Sequence, residues 1–216
     1  MLKVALFDLD GVIIDTETQY SKFWQAIGQT YYPQLPDFAF SIKGNTLTAI
    51  REKYFRDDAI FDNVEARLLD FEATMRYDVF PGVEEYLGQL HTAGIPCAVV
   101  TSSNKQKMAS LAKQQPSLHL LFDHIFTAED AGRGKPFPDC YLRAAEAMGA
   151  DIQECAVFED SINGLKAART SGAFVVGLTT THDESIVSEW ADLTFGGLRE
   201  CPWPLIPNAE SWGKEQ

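Results

Sequence analysis

Basic residues are scarce in this chain: 18 lysines and arginines stand against 31 aspartates and glutamates in 216 residues, a formal net charge of −13. Nucleic acid and anionic membrane surfaces bind clustered cations, so neither is expected as a partner, and an anionic substrate would have to be attracted locally. Cysteines are few and far apart. Cys97, Cys140, Cys155 and Cys201 form no C-x-x-C pair, which signals neither a zinc site nor a disulfide framework and suits reduced thiols in a cytoplasmic protein. No apolar run approaches the ~20 residues needed to span a bilayer. The stretch after Met1 also lacks the cationic segment and apolar run of roughly 7–15 residues expected of a signal peptide. Internal repeats and low-complexity tracts are absent, and His91, His119, His124 and His182 match no metal-ligand spacing.

What remains is the composition of an ordinary globular protein, 45% apolar and 23% charged. Apolar runs of strand length occur at Val4–Phe7, Cys97–Val100, His124–Phe126, Cys155–Phe158 and Ala173–Leu178, with a weaker one at Leu193–Phe195. Helical patterns at Glu84–His91, Lys105–Lys113, Pro138–Met148 and Ile162–Ser171 alternate with them, two ending at Gly149 and Gly172. The alternation predicts an α/β fold: a parallel sheet with helices on both faces and ligands at the carboxyl ends of the strands. From Thr16 to Asp78 the alternation stops. Helical patterns near Ser21–Ile27, Thr46–Arg56 and Val64–Met75, rich in aromatics and charge, predict an inserted helical cap over residues 16–78 on a core of 1–15 and 79–216, hinged near Asp15–Thr16 and Val79–Gly82. The cap aromatics Tyr20, Phe23, Trp24, Tyr31 and Tyr32 read as its packing. The proline-containing tail from Cys201 is expected to wrap the surface or fray.

Four strand ends carry polar groups: Asp8 and Asp10 after VALF, Thr101-Ser102-Ser103-Asn104 after CAVV, Lys135 in GRGKPFPD, and Glu159-Asp160 after CAVF. Taken singly, each has a plain explanation, as a solvated strand end, a helix cap, a surface charge or an acid favoured by a helix N-terminus. Together, on one sheet rim, they would crowd four carboxylates around a hydroxyl and a lysine. Such crowding calls for a hard divalent cation with oxygen ligands, and Mg²⁺ suits carboxylates combined with phosphate oxygens. Lys135 and Thr101, with backbone amides at a helix start, suit the phosphate.

The set FDLDG, VVTSS, GKPFPD and VFEDSINGLKAA resembles the haloacid dehalogenase superfamily, in the branch with a helical cap that includes β-phosphoglucomutase and sugar phosphatases. The resemblance covers nearly the whole chain and implies a Rossmann-like three-layer core with the cap inserted after the first strand. It implies Mg²⁺-dependent hydrolysis of a small phosphomonoester, with Asp8 the nucleophile that becomes an aspartyl phosphate and Asp10 the general acid and then base. Thr101, Ser102 and Lys135 would bind phosphate. Metal would be held by the Asp8 and Asp160 side chains and the Asp10 backbone carbonyl, with Glu159 a further ligand or a support behind them. Asp10 favours phosphate esters over C–Cl or C–P bonds. On the cap, Lys43, Gly44, Thr16 and Tyr20 are substrate-contact candidates. The mutases' K-G-x-x-R loop reads here Lys43-Gly44 with Leu47 in the arginine position, and Tyr20 stands where they have histidine. An uncharged leucine cannot grip a second phosphate as arginine does, which disfavours a mutase. A β-phosphoglucomutase-like isomerase and a non-catalytic phosphate-sensing protein are the two other readings.

Overall fold

The structure is a computed structural model and describes residues 2–42, 45 and 47–204. In chain order its elements are β1 (Val4–Phe7), β2 (Ile14–Asp15), α1 (Glu17–Tyr31), α2 (Phe38–Ile42), α3 (Leu47–Tyr54), α4 (Asp58–Thr74) and β3 (Asp78–Val79). There follow α5 (Val83–Thr92), β4 (Cys97–Val100), α6 (Lys105–Gln114), α7 (Pro116–His119), β5 (His124–Phe126) and α8 (Asp139–Ala147). The last are β6 (Cys155–Glu159), α9 (Ile162–Ser171), β7 (Phe174–Leu178), α10 (Glu184–Val187) and β8 (Leu193–Phe195).

Six strands form one parallel sheet in the order β5-β4-β1-β6-β7-β8. Its central strands are apolar at every position except Glu159, the last residue of β6, because both faces are covered. Ala5, Phe7, Cys97, Val99, Ala156 and Phe158 pack on one face with α5, α6 and α7. Val4, Leu6, Ala98, Val100, Cys155 and Val157 pack on the other with α8, α9 and α10. The period of two along each strand sorts these side chains between the layers. After β1 the chain builds outward through β4 and β5, then crosses to β6 on the other side, so the carboxyl end of β1 lies at the point where strand order reverses. That crevice is where open α/β sheets bind ligands.

The four helices α1–α4 lie between β2 and β3 in the chain and bury a cluster of their own, including Trp24, Ile27, Phe38, Ile50, Phe55, Val64 and Leu68. Phe23, Tyr31 and Tyr32 pack against it, as the aromatic content predicts. The helices differ in extent from their sequence patterns: α1 and α4 are longer, and α2 has no counterpart among those patterns. Helix α4 starts where Asp57 caps it by accepting from the Ile60 amide. At the two expected hinge points β2 and β3 pair antiparallel, Ile14 opposite Val79 and Asp15 opposite Asp78. Lys43 and Gly44, and the tail beyond Pro204, lie outside the described residues. Among the described residues, no helix is long and apolar enough to cross a membrane.

Candidate active site

Strand β1 ends at Phe7, so Asp8 follows it directly and Asp10 lies in the turn beyond it. Gly11, at φ +83°, turns the chain sharply, and a Cβ there would fall 1.9 Å from Asp160 Oδ2. Both the turn and the close approach of Asp160 therefore require glycine. The two acids take different partners. Lys135 Nζ donates to Asp8 Oδ1 at 2.6 Å, while Lys107 Nζ lies 2.7 Å from both oxygens of Asp10. Ser103 and Thr16 hydroxyls also donate to Asp10.

Lys135 is buried and bridges three elements: besides Asp8 it donates to Glu159 Oε1 at 2.6 Å and to the Val100 carbonyl at 3.2 Å. Burial alone would lower its pKa, but the Asp8 and Glu159 charges outweigh that and hold it well above the usual lysine value. Glu159 is 0% exposed. Its Oε1 also accepts from the Tyr141 hydroxyl, and its Oε2 accepts from the Asp160 and Ser161 amides and the Ser161 hydroxyl. Both oxygens are thus committed to anchoring Lys135 and the turn into α9. The carboxylate fits because residue 164 is glycine: a Cβ on Gly164 would lie 1.7 Å from Glu159 Oε1. Gly164→Ala should therefore destabilise the fold by about 1–3 kcal/mol, as overpacked interiors do, although alanine is the better helix former. Urea unfolding at constant m-value measures it; a variant as stable as wild type would mean that Glu159 can move aside.

Asp8, Glu159 and Asp160 each offer an oxygen within 4.8 Å of the others, and together they could hold a metal ion. Asp160 is 2% exposed and its Oδ1 is buried without a hydrogen-bond partner. An orphaned buried carboxylate oxygen is costly unless a cation meets it. Burial is the main influence raising the Asp160 pKa well above the ordinary carboxylate value, and the Glu159 and Asp8 charges add to it. Burial likewise pushes Asp8 up to about 7 against the pull of Lys135, with Glu159 and Asp10 adding repulsion. Asp10 is the exception: burial would raise it, but Lys107, Thr16 and Ser103 more than offset that and its pKa lies below the usual value.

One cavity of about 190 Å³ is lined by Asp8, Asp10, Thr101, Ser102, Lys135 and Asp160 together with Thr16 and Tyr20, so these candidates converge. Glu159 stands behind its wall. Asn163 and Thr181 join the lining without having been singled out in the sequence. A larger cavity of about 910 Å³ extends from Asp10, Thr101 and Lys135 toward the inserted helices and is lined there by Trp24, Leu47, Ile50 and Leu68 among others. Tyr20 is taken up in a cross-link: its hydroxyl donates to Glu72 at 2.8 Å and its ring centroid lies 4.7 Å from Lys107 Nζ. Lys107 is the residue that sequence reasoning missed. A clue was there, since a lysine in the first turn of a helix opposes the macrodipole and is out of place unless an anion meets it.

A family model for haloacid dehalogenase-like hydrolases matches residues 2–172. Validoxylamine A 7'-phosphate phosphatase of Streptomyces hygroscopicus subsp. limoneus is 33% identical, over 95% of this chain and 99% of its own. Hexitol phosphatase A of Escherichia coli K12 is 29% identical over 96% and 97%. Proteins named β-phosphoglucomutase are also among the relatives. In structure, a family IA HAD hydrolase of Entamoeba histolytica superposes with a TM-score of 0.81 at 21% identity, covering 94% of this chain and 97% of its own. Sequence, sheet order and the convergence of strand-end residues agree: the chain belongs to the haloacid dehalogenase-like hydrolases.

Proposed function

We propose that the chain is a Mg²⁺-dependent phosphatase that hydrolyses a small phosphomonoester, with a sugar or similar polyol as its leaving group, through an aspartyl phosphate on Asp8. The observation that carries this reading is the charge arrangement: of three clustered buried acids Lys135 contacts only Asp8 and Glu159, and Asp160 Oδ1 has no partner. Asp8, Asp160 and the Asp10 backbone carbonyl would hold the ion, with Glu159 supporting Lys135 behind them. Mg²⁺ supplies positive charge that offsets the repulsion between a carboxylate and a phosphate ester.

In the first step an Asp8 carboxylate oxygen bonds to phosphorus and the bond to the leaving oxygen breaks. That oxygen keeps the electron pair and takes a proton from the Asp10 carboxyl, which first receives it from the phosphate monoanion of the entering substrate, because Asp10 by itself lies below the usual carboxylate pKa. Lys135 and Thr101, with Ser102 beside them, bind the phosphoryl oxygens. In the second step water attacks phosphorus, its proton passes to Asp10, and the bond to Asp8 breaks, releasing phosphate. The helices over residues 16–78 would act as a cap that closes the site against bulk water, with 1–15 and 79–216 as the catalytic core. Lys43 and Gly44 keep the place of substrate contacts in this reading.

Hydrolysis is favoured over phosphate migration by the lining of the larger cavity. On its inserted-helix side the described lining residues include Glu17, Glu65 and Glu72 and no lysine or arginine, and Leu47 is among them. On the core side Arg133 is engaged by both oxygens of Asp139 at 2.9 Å. A second phosphate on the substrate would meet carboxylates there. The test is a panel of phosphomonoesters, pyrophosphate and glucose 1-phosphate assayed with Mg²⁺ and with a chelator. Phosphate release that the chelator removes is expected. Glucose 6-phosphate formed from glucose 1-phosphate would replace hydrolase by mutase, and no release from any member would contradict the reading.

A further inference from the structure

We infer that Lys107 is the positioning residue for Asp10, setting its carboxyl at the junction of the phosphate end and the leaving-group chamber; this rests on the phosphatase reading above. Asn104 caps α6 and accepts from the Lys107 amide at 2.8 Å, which fixes the lysine in the first turn and directs it back toward the strand rim. The side chain is 3% exposed. Taking an ammonium out of water costs several kcal/mol unless it is well paired, and here the pairing is bidentate, 2.7 Å to each oxygen of Asp10. The Tyr20 ring covers the same ammonium at 4.7 Å, and Tyr20 is tied to Glu72 of α4, so the inserted helices close over the lysine that holds the acid.

Asp10 lines both cavities, and a leaving oxygen bonded to a phosphorus beside Asp8 must lie where they meet. Without Lys107 only the Ser103 and Thr16 hydroxyls, each a single contact from the loop before α6 and from the start of α1, would orient Asp10. Proton transfer depends on that orientation within hydrogen-bond reach. Neither Lys107 nor its partners need touch the substrate for this role.

Acid catalysis matters most when the leaving group is a poor one, which gives a selective readout. The experiment is kcat/KM for 4-nitrophenyl phosphate, phenyl phosphate and an alkyl phosphate, measured on wild type, Asp10→Asn, Lys107→Met, Lys107→Gln and Lys107→Arg. Asp10→Asn should lose about 10²–10³-fold on the poor leaving groups, within the usual range for one general acid, and much less on 4-nitrophenyl phosphate. Lys107→Met and Lys107→Gln should follow it, losing roughly tenfold or more on phenyl and alkyl phosphates but about threefold or less on the nitrophenyl ester, while Lys107→Arg recovers most of the difference. The ratio of two substrates in one preparation does not depend on how much of it is folded, so partial misfolding cannot imitate the result. Lys107 variants that lose activity equally on all substrates, or that keep the wild-type ratio, overturn the inference. An Asp10→Asn ratio equal to wild type overturns instead the assignment of Asp10 as the acid.

Discussion

Asp8→Asn should leave the chain folded and lower phosphate release by a factor on the order of 10⁴ or more, the scale on which losing a covalent nucleophile falls. Folding should survive because the substitution removes one of three crowded carboxylates, whose burial already pushes Asp8 up to about 7, and takes away no countercharge. The amide keeps an oxygen to accept from Lys135, which retains Glu159 as its second partner. What the amide lacks is a charged oxygen able to bond phosphorus and later leave again. Phosphate release from a good and a poor leaving group, with a urea unfolding curve on the same preparation, separates the two consequences. Release that persists at a tenth of wild type or more in a folded Asp8→Asn variant would rule out the aspartyl phosphate and leave water as the direct attacker.

The parts of this architecture that were legible beforehand share a physical cause. Central parallel strands are covered on both faces, so Val4–Phe7 and Cys97–Val100 stand out as unbroken apolar runs, and their ends in the structure coincide with those runs. Helices α6 and α9 begin at side-chain caps, Asn104 and Ser161, and α9 stops at Gly172 in the left-handed region, all local chemistry. Elements held by distant contacts were not visible. The five residues of α2 lean on α1 across a turn, and β2 and β3 are two residues each, joined across more than sixty positions of chain. The site divides the same way. Asp8, Thr101, Lys135 and Asp160 follow apolar runs whose parallel arrangement brings them to one rim. Apart from its place in the first turn, Lys107 lies in KQKMASLAKQ as one more residue on what looks like the solvated face of a polar helix, and a partner 97 residues away shows why it is buried. Glu159 was legible as an acid at the rim but not as the anchor of Lys135, because that role depends on Tyr141, Ser161 and the space left by Gly164.

The same anchoring makes Lys135→Met the substitution with the largest expected cost to stability. Removing the ammonium leaves Glu159 inside the protein with no cation and leaves Asp8 beside it, and breaking a buried pair from one side typically costs about 3–5 kcal/mol. Converting Glu159 to glutamine in the same chain removes the stranded charge, keeps an acceptor oxygen for the Asp160 and Ser161 amides, and turns its NH2 toward the Tyr141 hydroxyl, which can accept. The double variant Lys135→Met/Glu159→Gln should therefore be more stable than Lys135→Met alone by about 1–3 kcal/mol, the size of coupling seen between contacting residues, yet remain inactive because the phosphoryl oxygens have lost their lysine. The pH dependence has a definite sign. Burial raises Asp8 to about 7 and Asp160 well above the ordinary carboxylate value, and Lys135 pulls both down; without it each holds its proton more tightly in the folded than in the unfolded chain, so stability falls as pH rises above the unfolded value and the deficit of the single variant should be larger at pH 8 than at pH 5. Urea midpoints at both pH values, in the presence of a chelator and at constant m-value, measure all three quantities. If the double variant is no more stable than Lys135→Met alone, loss of the lysine does not strand Glu159, and the role of Glu159 would shift from anchoring the lysine to binding the metal directly.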